Sequence, residues 1–204
     1  EQGLNIARNI GALAGVPYTT PAITINRFCS SGLQSIAYGA EKIMLGGAEA
    51  VLAGGVESMS MVPMTGNVIR PNAKLEETAP EYYMSMGHTA EQVANKYGIT
   101  REEQDAFAVR SHQRAAEAIK NEKFKEEVVP VDVTIRSVDE NNKFVEKQVV
   151  FDTDEGVRPN TTMEVLANLR PAFAAKGSVT AGNSSQMSDG AASVLLMDRE
   201  KAEA

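Results

Sequence analysis

The residue with the widest chemical reach is Cys29, the one cysteine among 204 residues, and Ser30-Ser31-Gly32 follow it directly. A thiol in the first turn of a helix feels the positive end of the macrodipole and several backbone N–H groups without intrahelical partners. Both favour the thiolate, which is the attacking form of cysteine. The same N–H groups can hold the oxyanion formed when a thiolate adds to an acyl carbonyl, and the small residues beside it leave space for a ligand. The competing reading is that Cys29 is a small apolar filler, as buried free cysteines commonly are.

For the first reading to hold, residues 21–55 must form strand, sharp turn, helix and strand. Ala22, Ile23 and Ile25 read as an apolar strand running into Cys29. Leu33, Ile36, Ala37, Ala40, Ile43 and Met44 recur at helical spacing and predict one apolar face, ended by Gly46-Gly47. Ala50 to Ala53, closed by Gly54-Gly55, predict a second, fully buried strand.

Composition narrows the classes. With 43% hydrophobic residues, the chain can bury a core as one large domain or two small ones. Its formal net charge of −7 argues against nucleic acid or an anionic membrane as partner, since both call for concentrated positive charge. No apolar run approaches the roughly 20 residues of a membrane span, and no secretory signal is read at the start. One cysteine excludes an internal disulfide, and with two histidines it makes a Cys/His zinc site implausible, so no metal is expected. A reducing, cytoplasmic setting is the expectation.

Residues 4–14 predict an amphipathic helix on Leu4, Ile6, Ile10 and Leu13. Met59, Met61 and Met64 around Pro63 predict a Met-rich loop, either core filler or an adaptable acyl-chain or partner surface. Residues 65–89 are loop-like, and a short helix follows from Thr89 or Ala90 to Gly98. Thr100-Arg101-Glu102-Glu103 is a capping box opening a helix to about Asn121, with Phe107, Ser111, Ala115, Ala118 and Ile119 inward and His112 on its surface. Val128 to Val133 predict an edge strand around Pro130, and 134–138 with 143–151 a hairpin. Asp152 to Glu155 read as a solvated turn, and Thr161-x-x-Glu164 as the cap of a helix ending near Pro171. Ala191 to Met197 predict a buried strand, and Asp198 the start of a helix. The class is therefore α/β, with 1–58 and 188–204 as parallel α/β layers around a polar, irregular α+β insertion at 59–187.

Two stretches carry a resemblance. Asn26-Arg27-Phe28-Cys29-Ser30-Ser31-Gly32-Leu33-Gln34, followed by Ala53-Gly54-Gly55-Val56-Glu57-Ser58-Met59-Ser60, resembles the nucleophile region of thiolases. Gly182-Asn183-Ser184-Ser185-Gln186-Met187-Ser188-Asp189-Gly190-Ala191-Ala192 resembles a second thiolase stretch, in the family's order. The resemblance implies a partial thiolase-like layered α/β/α fold. It identifies 1–58 as the nucleophile part of the N-terminal domain, 59–187 as the coenzyme A-binding loop domain, and 188–204 as the return.

It also implies roles. Cys29 takes the place of the acylated nucleophile, and acyl-CoA and coenzyme A are the substrates, so no resident cofactor is needed. Arg158 matches an adenine- or phosphate-side contact of coenzyme A. Phe173, Ala181 and Met187 match apolar contacts along the ligand, Met86 a wall residue, and Ser185 a hydroxyl bonded to the pantetheine arm. Ser85 stands where some thiolases have a ligand-contacting histidine, and His88 lies nearby. The family's Gly-His-Pro, Cys-x-Gly-Gly-Gly and Asn-Glu-Ala-Phe segments do not occur. The expectation is an internal fragment, about half an enzyme, inactive alone, from a homodimer or dimer of dimers. The 3-ketoacyl-CoA type is favoured. The alternatives are a biosynthetic acetoacetyl-CoA thiolase, a ketoacyl synthase, and a non-catalytic acyl-CoA-binding or subunit-interaction module.

Overall fold

The computed structural model describes residues 3–204. The chain divides into two compact units, one of residues up to Pro71 together with Met187–Ala204, the other Asn72–Gln186.

The first unit is built on helix α1 (Ile6–Leu13), helix α2 (Ser31–Met44) and two strands, β1 (Ala50–Glu57) and β4 (Gly190–Met197), with a short helix α7 (Arg199–Glu203) at its end. β1 and β4 pair antiparallel, from Ala50 opposite Met197 to Glu57 opposite Gly190. This overturns the expectation of parallel layers. Continuous apolar runs suggest parallel strands, but strand direction is decided by tertiary pairing, which no local pattern encodes. Full burial is overturned as well. Ala53 is buried, but Leu52 and Leu195, opposite each other on one face, are 57% and 61% exposed. Helix α2 packs on the other face.

The approach of α2 depends on small residues. A Cβ on Gly39 would lie 2.8 Å from Leu196 Cδ1 and 3.1 Å from Val51 Cγ1. Ser35 Oγ donates to Gly54 O at 2.9 Å. The sheet therefore meets a stripe of small residues, while Leu33 and Met44 of the predicted apolar face are 72% and 84% exposed. Residues 21–26 join no ladder with the described residues, contrary to the predicted strand. They are tied instead to α1: Asn5 Nδ2 donates to Ala22 O (2.9 Å), Thr24 Oγ1 to Asn5 Oδ1 (2.6 Å), and Arg8 to the carbonyls of Tyr18 and Thr20.

The second unit holds α3 (Ala73–Thr78), a 3₁₀ turn at Pro80–Tyr83, α4 (Met86–Tyr97), α5 (Arg101–Lys120), the hairpin β2 (Val131–Val138) and β3 (Phe144–Phe151), and α6 (Met163–Ala167). Helix α4 opens earlier than predicted because Ser85 caps it, its hydroxyl accepting the His88 N–H. Pro130 falls just before β2, where its missing N–H leaves no ladder bond unmade, so 128–133 is not a separate strand. Thr162, not Thr161, caps α6, and Thr161 is buried.

The Thr100–Glu103 capping box forms as predicted. The buried face of α5 matches the predicted one only in part: Ala115, Ala118 and Ile119 are half-buried as expected, but Ser111 is exposed. Asp105 and Ala108 are buried and Arg101 and His112 half-buried, whereas Phe107 is 65% exposed. Polar residues at i, i+4 and i+11, with Ala108 at i+7, thus form the inner stripe. Arg101 Nε donates to Asp105 Oδ2 (2.8 Å), and its Nη2 donates to Leu166 O (2.6 Å) and Leu169 O (3.1 Å), pinning α6 to α5. The core around this hub is small: Ala94, Ala108, Leu166 and Val179.

Candidate active site

Cys29 is solvent-exposed and sits one residue before the N-cap of α2, not inside its first turn. Phe28, just ahead of it, has φ +50°, a conformation that costs a bulky residue energy and persists where the surroundings enforce it. The enforcing contacts are visible. Phe28 N donates to Asn26 Oδ1 (2.9 Å), Ser31 Oγ donates to Phe28 O (2.7 Å), and Arg27 N donates to Ser31 Oγ (2.8 Å). Ser30, the N-cap, turns its hydroxyl back to Arg27 O and caps no helix amide. Ser31 N, the first amide of α2, donates to Phe28 O (3.0 Å), so the anion-binding capacity beside the thiol rests on the amides of Gly32 and Leu33.

The second unit gathers several of the ligand-contact candidates. Ser85 Oγ shares a 2.9 Å hydrogen bond with His88 Nδ1, and the His88 ring meets Phe173 edge-on at 6.3 Å between centroids. Gly87 makes this possible, since a Cβ there would overlap the Phe173 ring. Ser85, Met86 and His88 are exposed, and Phe173 is 41% exposed. Pro171 bridges to Thr180, and Ala172 N donates to Val179 O (2.9 Å), which sets the Phe173 segment beside Ala181. Ala181 and Ser185 are exposed, and the Ser185 hydroxyl donates to Gln186 O (3.1 Å). Met187 belongs to the first unit and is 78% exposed.

Arg158 is held by its backbone and free at its tip. Its N–H donates to His112 Nδ1 (3.2 Å), and its carbonyl accepts from Thr161 N (3.1 Å) and Thr161 Oγ1 (2.8 Å). Its side chain is exposed, and among the described residues no carboxylate pairs with the guanidinium.

The anchors under the 178–186 loop escaped sequence reasoning. The Glu91 carboxylate is buried and accepts from Ser178 N (2.9 Å), Val179 N (2.9 Å) and Ser178 Oγ (3.2 Å). Burial alone would push this carboxyl up, but the two amides, the hydroxyl and nearby His88 together hold it below the ordinary carboxylate range. Asp105 Oδ1 accepts from Asn183 Nδ2 (2.9 Å), and Asn183 Oδ1 accepts from Thr180 N (2.8 Å). Their signal was faint: Glu91 and Asp105 share helix faces with alanines, a pattern that reads as solvated. Among the described residues, no three His, Cys, Asp or Glu gather as a metal site, and no helix is long and apolar enough to cross a membrane.

The chain is similar to known proteins along its whole length. The family model for the thiolase N-terminal domain matches residues 1–200. The chain is 71% identical to the 3-ketoacyl-CoA thiolase of Bacillus subtilis (strain 168), covering all of this chain and 52% of that one. It is 46% identical to the peroxisomal 3-ketoacyl-CoA thiolase of Homo sapiens, covering 98% of this chain and 47% of that one. The dimeric peroxisomal thiolase of Saccharomyces cerevisiae superposes with a TM-score of 0.78 at 37% identity, over 96% of this chain and 48% of that one. The Bacillus anthracis acetyl-CoA acetyltransferase gives 0.75 at 40%, over 99% and 52%. The chain thus spans about half the length of the relatives it matches. With a family match running through both units and relatives well above chance identity across the whole chain, this protein belongs to the thiolase family, in the region of its N-terminal domain.

Proposed function

We propose that this chain is the nucleophile-bearing part of an acyltransferase that cleaves 3-ketoacyl-CoA reversibly. The Cys29 thiolate attacks the 3-keto carbon, the adjacent C–C bond breaks, and the departing carbon takes a proton to leave as acetyl-CoA. The acyl group stays on Sγ as a thioester. The thiol of a fresh coenzyme A attacks that thioester carbonyl, releasing a shortened acyl-CoA and restoring the thiolate. Exchange between two similar thiols is nearly isoenergetic, so the sequence runs in both directions.

The observation that carries this reading is the Cys29 turn: an exposed thiol, after a strained Phe28, beside helix amides that no side chain caps. In the same reading Arg158 takes a phosphate of coenzyme A. Met86, Ser85, His88, Phe173, Ala181 and Met187 line its length, and Ser185 bonds the pantetheine arm. Coenzyme A is a substrate here, and no resident cofactor takes part. The assembly is a homodimer or a dimer of dimers, supported by the yeast relative described as dimeric, and the setting is cytoplasmic, supported by the lone thiol.

The test is acyl transfer to Cys29 from acetoacetyl-CoA in the full-length enzyme that carries these 204 residues together with the acid–base segments, read by peptide mass spectrometry. An adduct on the Cys29 peptide, lost in Cys29→Ser, is the expected result, and an unmodified Cys29 overturns the reading. Turnover by the 204 residues alone is expected at background, because the family's remaining acid–base segments are not in this sequence. The likeness to an acetyl-CoA acetyltransferase keeps the biosynthetic direction as second reading, which rates across acyl lengths separate.

A further inference from the structure

We propose that His112 is a positioning residue for the nucleotide end of coenzyme A, holding the Arg158 backbone in place, and that it does so only as a neutral imidazole. The inference rests on the coenzyme A reading of Arg158 given above. A backbone N–H can only donate, so His112 Nδ1, 3.2 Å from Arg158 N, must accept. An imidazole nitrogen accepts only when it carries no proton. The ring is therefore neutral, with its hydrogen on Nε2, whenever this bond exists.

The bond is one of two grips on the same peptide. Thr161, buried, holds the Arg158 carbonyl from the other side through its N–H and hydroxyl. Between them His112 and Thr161 fix both backbone groups of one residue in a stretch, 152–162, that has no regular structure. The guanidinium they carry is left without a carboxylate partner among the described residues. A fixed base under a free cationic tip is the arrangement that meets a phosphate with little ordering cost. His112 can do this because it continues the inner stripe of α5, three turns beyond Arg101.

Protonation reverses the interaction. With both ring nitrogens carrying hydrogen, His112 presents a donor to the Arg158 donor, and the grip on that side is lost. The charged residues closest in sequence to this bond are Arg110 and Arg114 on α5, Asp154, Glu155 and Arg158 on the loop, and Glu164 on α6. A phosphate monoester of the ligand changes charge between about pH 5.5 and 8, so the comparison with a variant that carries a non-titrating acceptor, not the window alone, isolates the imidazole.

The experiment is calorimetric binding of coenzyme A and of adenosine 3′,5′-bisphosphate between pH 5.5 and 8. It compares the unaltered chain, His112→Asn, His112→Leu and Arg158→Ala. Asparagine places a non-titrating acceptor near the position of Nδ1. The affinity of the unaltered chain should fall by about three- to tenfold relative to His112→Asn as pH drops across the window, the size expected for one hydrogen bond. His112→Leu should bind weakly at every pH. Identical pH profiles for the unaltered chain and His112→Asn overturn the role of His112, as does full-strength binding by His112→Leu. Equal binding by Arg158→Ala, or no binding by the unaltered chain, overturns the underlying reading of Arg158 and this inference with it.

Discussion

Glu91→Ala removes one acceptor from three donors at once. In the native chain its carboxylate takes the amides of Ser178 and Val179, both at 2.9 Å, and the Ser178 hydroxyl at 3.2 Å. A buried amide left without a partner costs about 1–3 kcal/mol. Val179 is buried and pays nearly all of this, while half-buried Ser178 regains some water. Relief of the desolvation cost of the carboxylate offsets part of the loss. The expected net is about 3 kcal/mol, a large share of a domain stability of about 5–15 kcal/mol. Glu91→Gln retains one acceptor oxygen and should lose about half as much. The assay is urea unfolding combined with native-state hydrogen exchange. At about 1.4 kcal/mol per tenfold, exchange of the Val179 amide should accelerate by about a hundredfold in the alanine variant. Coenzyme A affinity should weaken alongside, because Ala181 and Ser185 ride on the freed segment. Unchanged midpoint and unchanged protection at Ser178 and Val179 would refute the claim that this carboxylate holds the loop.

The remaining expectations are shorter. Gly87→Ala should displace the Phe173 ring and forfeit its edge contact with His88, costing about 0.5–1.5 kcal/mol in stability, with a larger loss in coenzyme A binding measured by calorimetry. Gly54→Ala should destabilise by about 1–3 kcal/mol, since its Cβ would overlap the Ala192 carbonyl, a backbone atom that cannot rotate away. Gly55→Ala, whose nearest neighbour is 3.6 Å away, should fall within about 0.5 kcal/mol of the parent, and thermal melts compare the two. The Glu91 carboxyl is depressed in the fold below its ordinary 4.5, so its stabilisation is complete above that value and is lost as pH falls through the lower folded value. Acid titration should therefore unfold the parent with a steeper dependence below pH 4.5 than Glu91→Gln.

What local pattern encodes was legible. The capping box at Thr100, the hairpin around 139–142 and the helix after Cys29 all follow from spacing and turn chemistry, and all are present. Pairing direction was not legible, because β1 and β4 are separated by the whole second unit, and apolar runs look alike in either orientation. The stretch 21–26 has strand composition but no ladder partner among the described residues, and composition cannot supply one. The turn at Cys29 was readable in its residue types. The positive φ of Phe28 was not, because it is imposed by Asn26 and Ser31 together rather than by any propensity of phenylalanine.

The inner face of α5 explains why the largest errors fall beside the candidate site. Hydrophobic periodicity finds helix faces that pack on side chains. Arg101, Asp105 and His112 face backbone instead: carbonyls of Leu166 and Leu169, the amide of Arg158 and, through Asn183, the amide of Thr180. Irregular segments expose N–H and C=O groups that have no ladder or helix to satisfy them. A helix that must hold such segments rigid therefore needs polar side chains inward, fully matched, and among the described residues no buried side-chain polar atom lacks a partner. A polar stripe on the buried side of a helix is thus what an irregular segment demands of its support, and a reading that equates inward with apolar misses that part of the inner face.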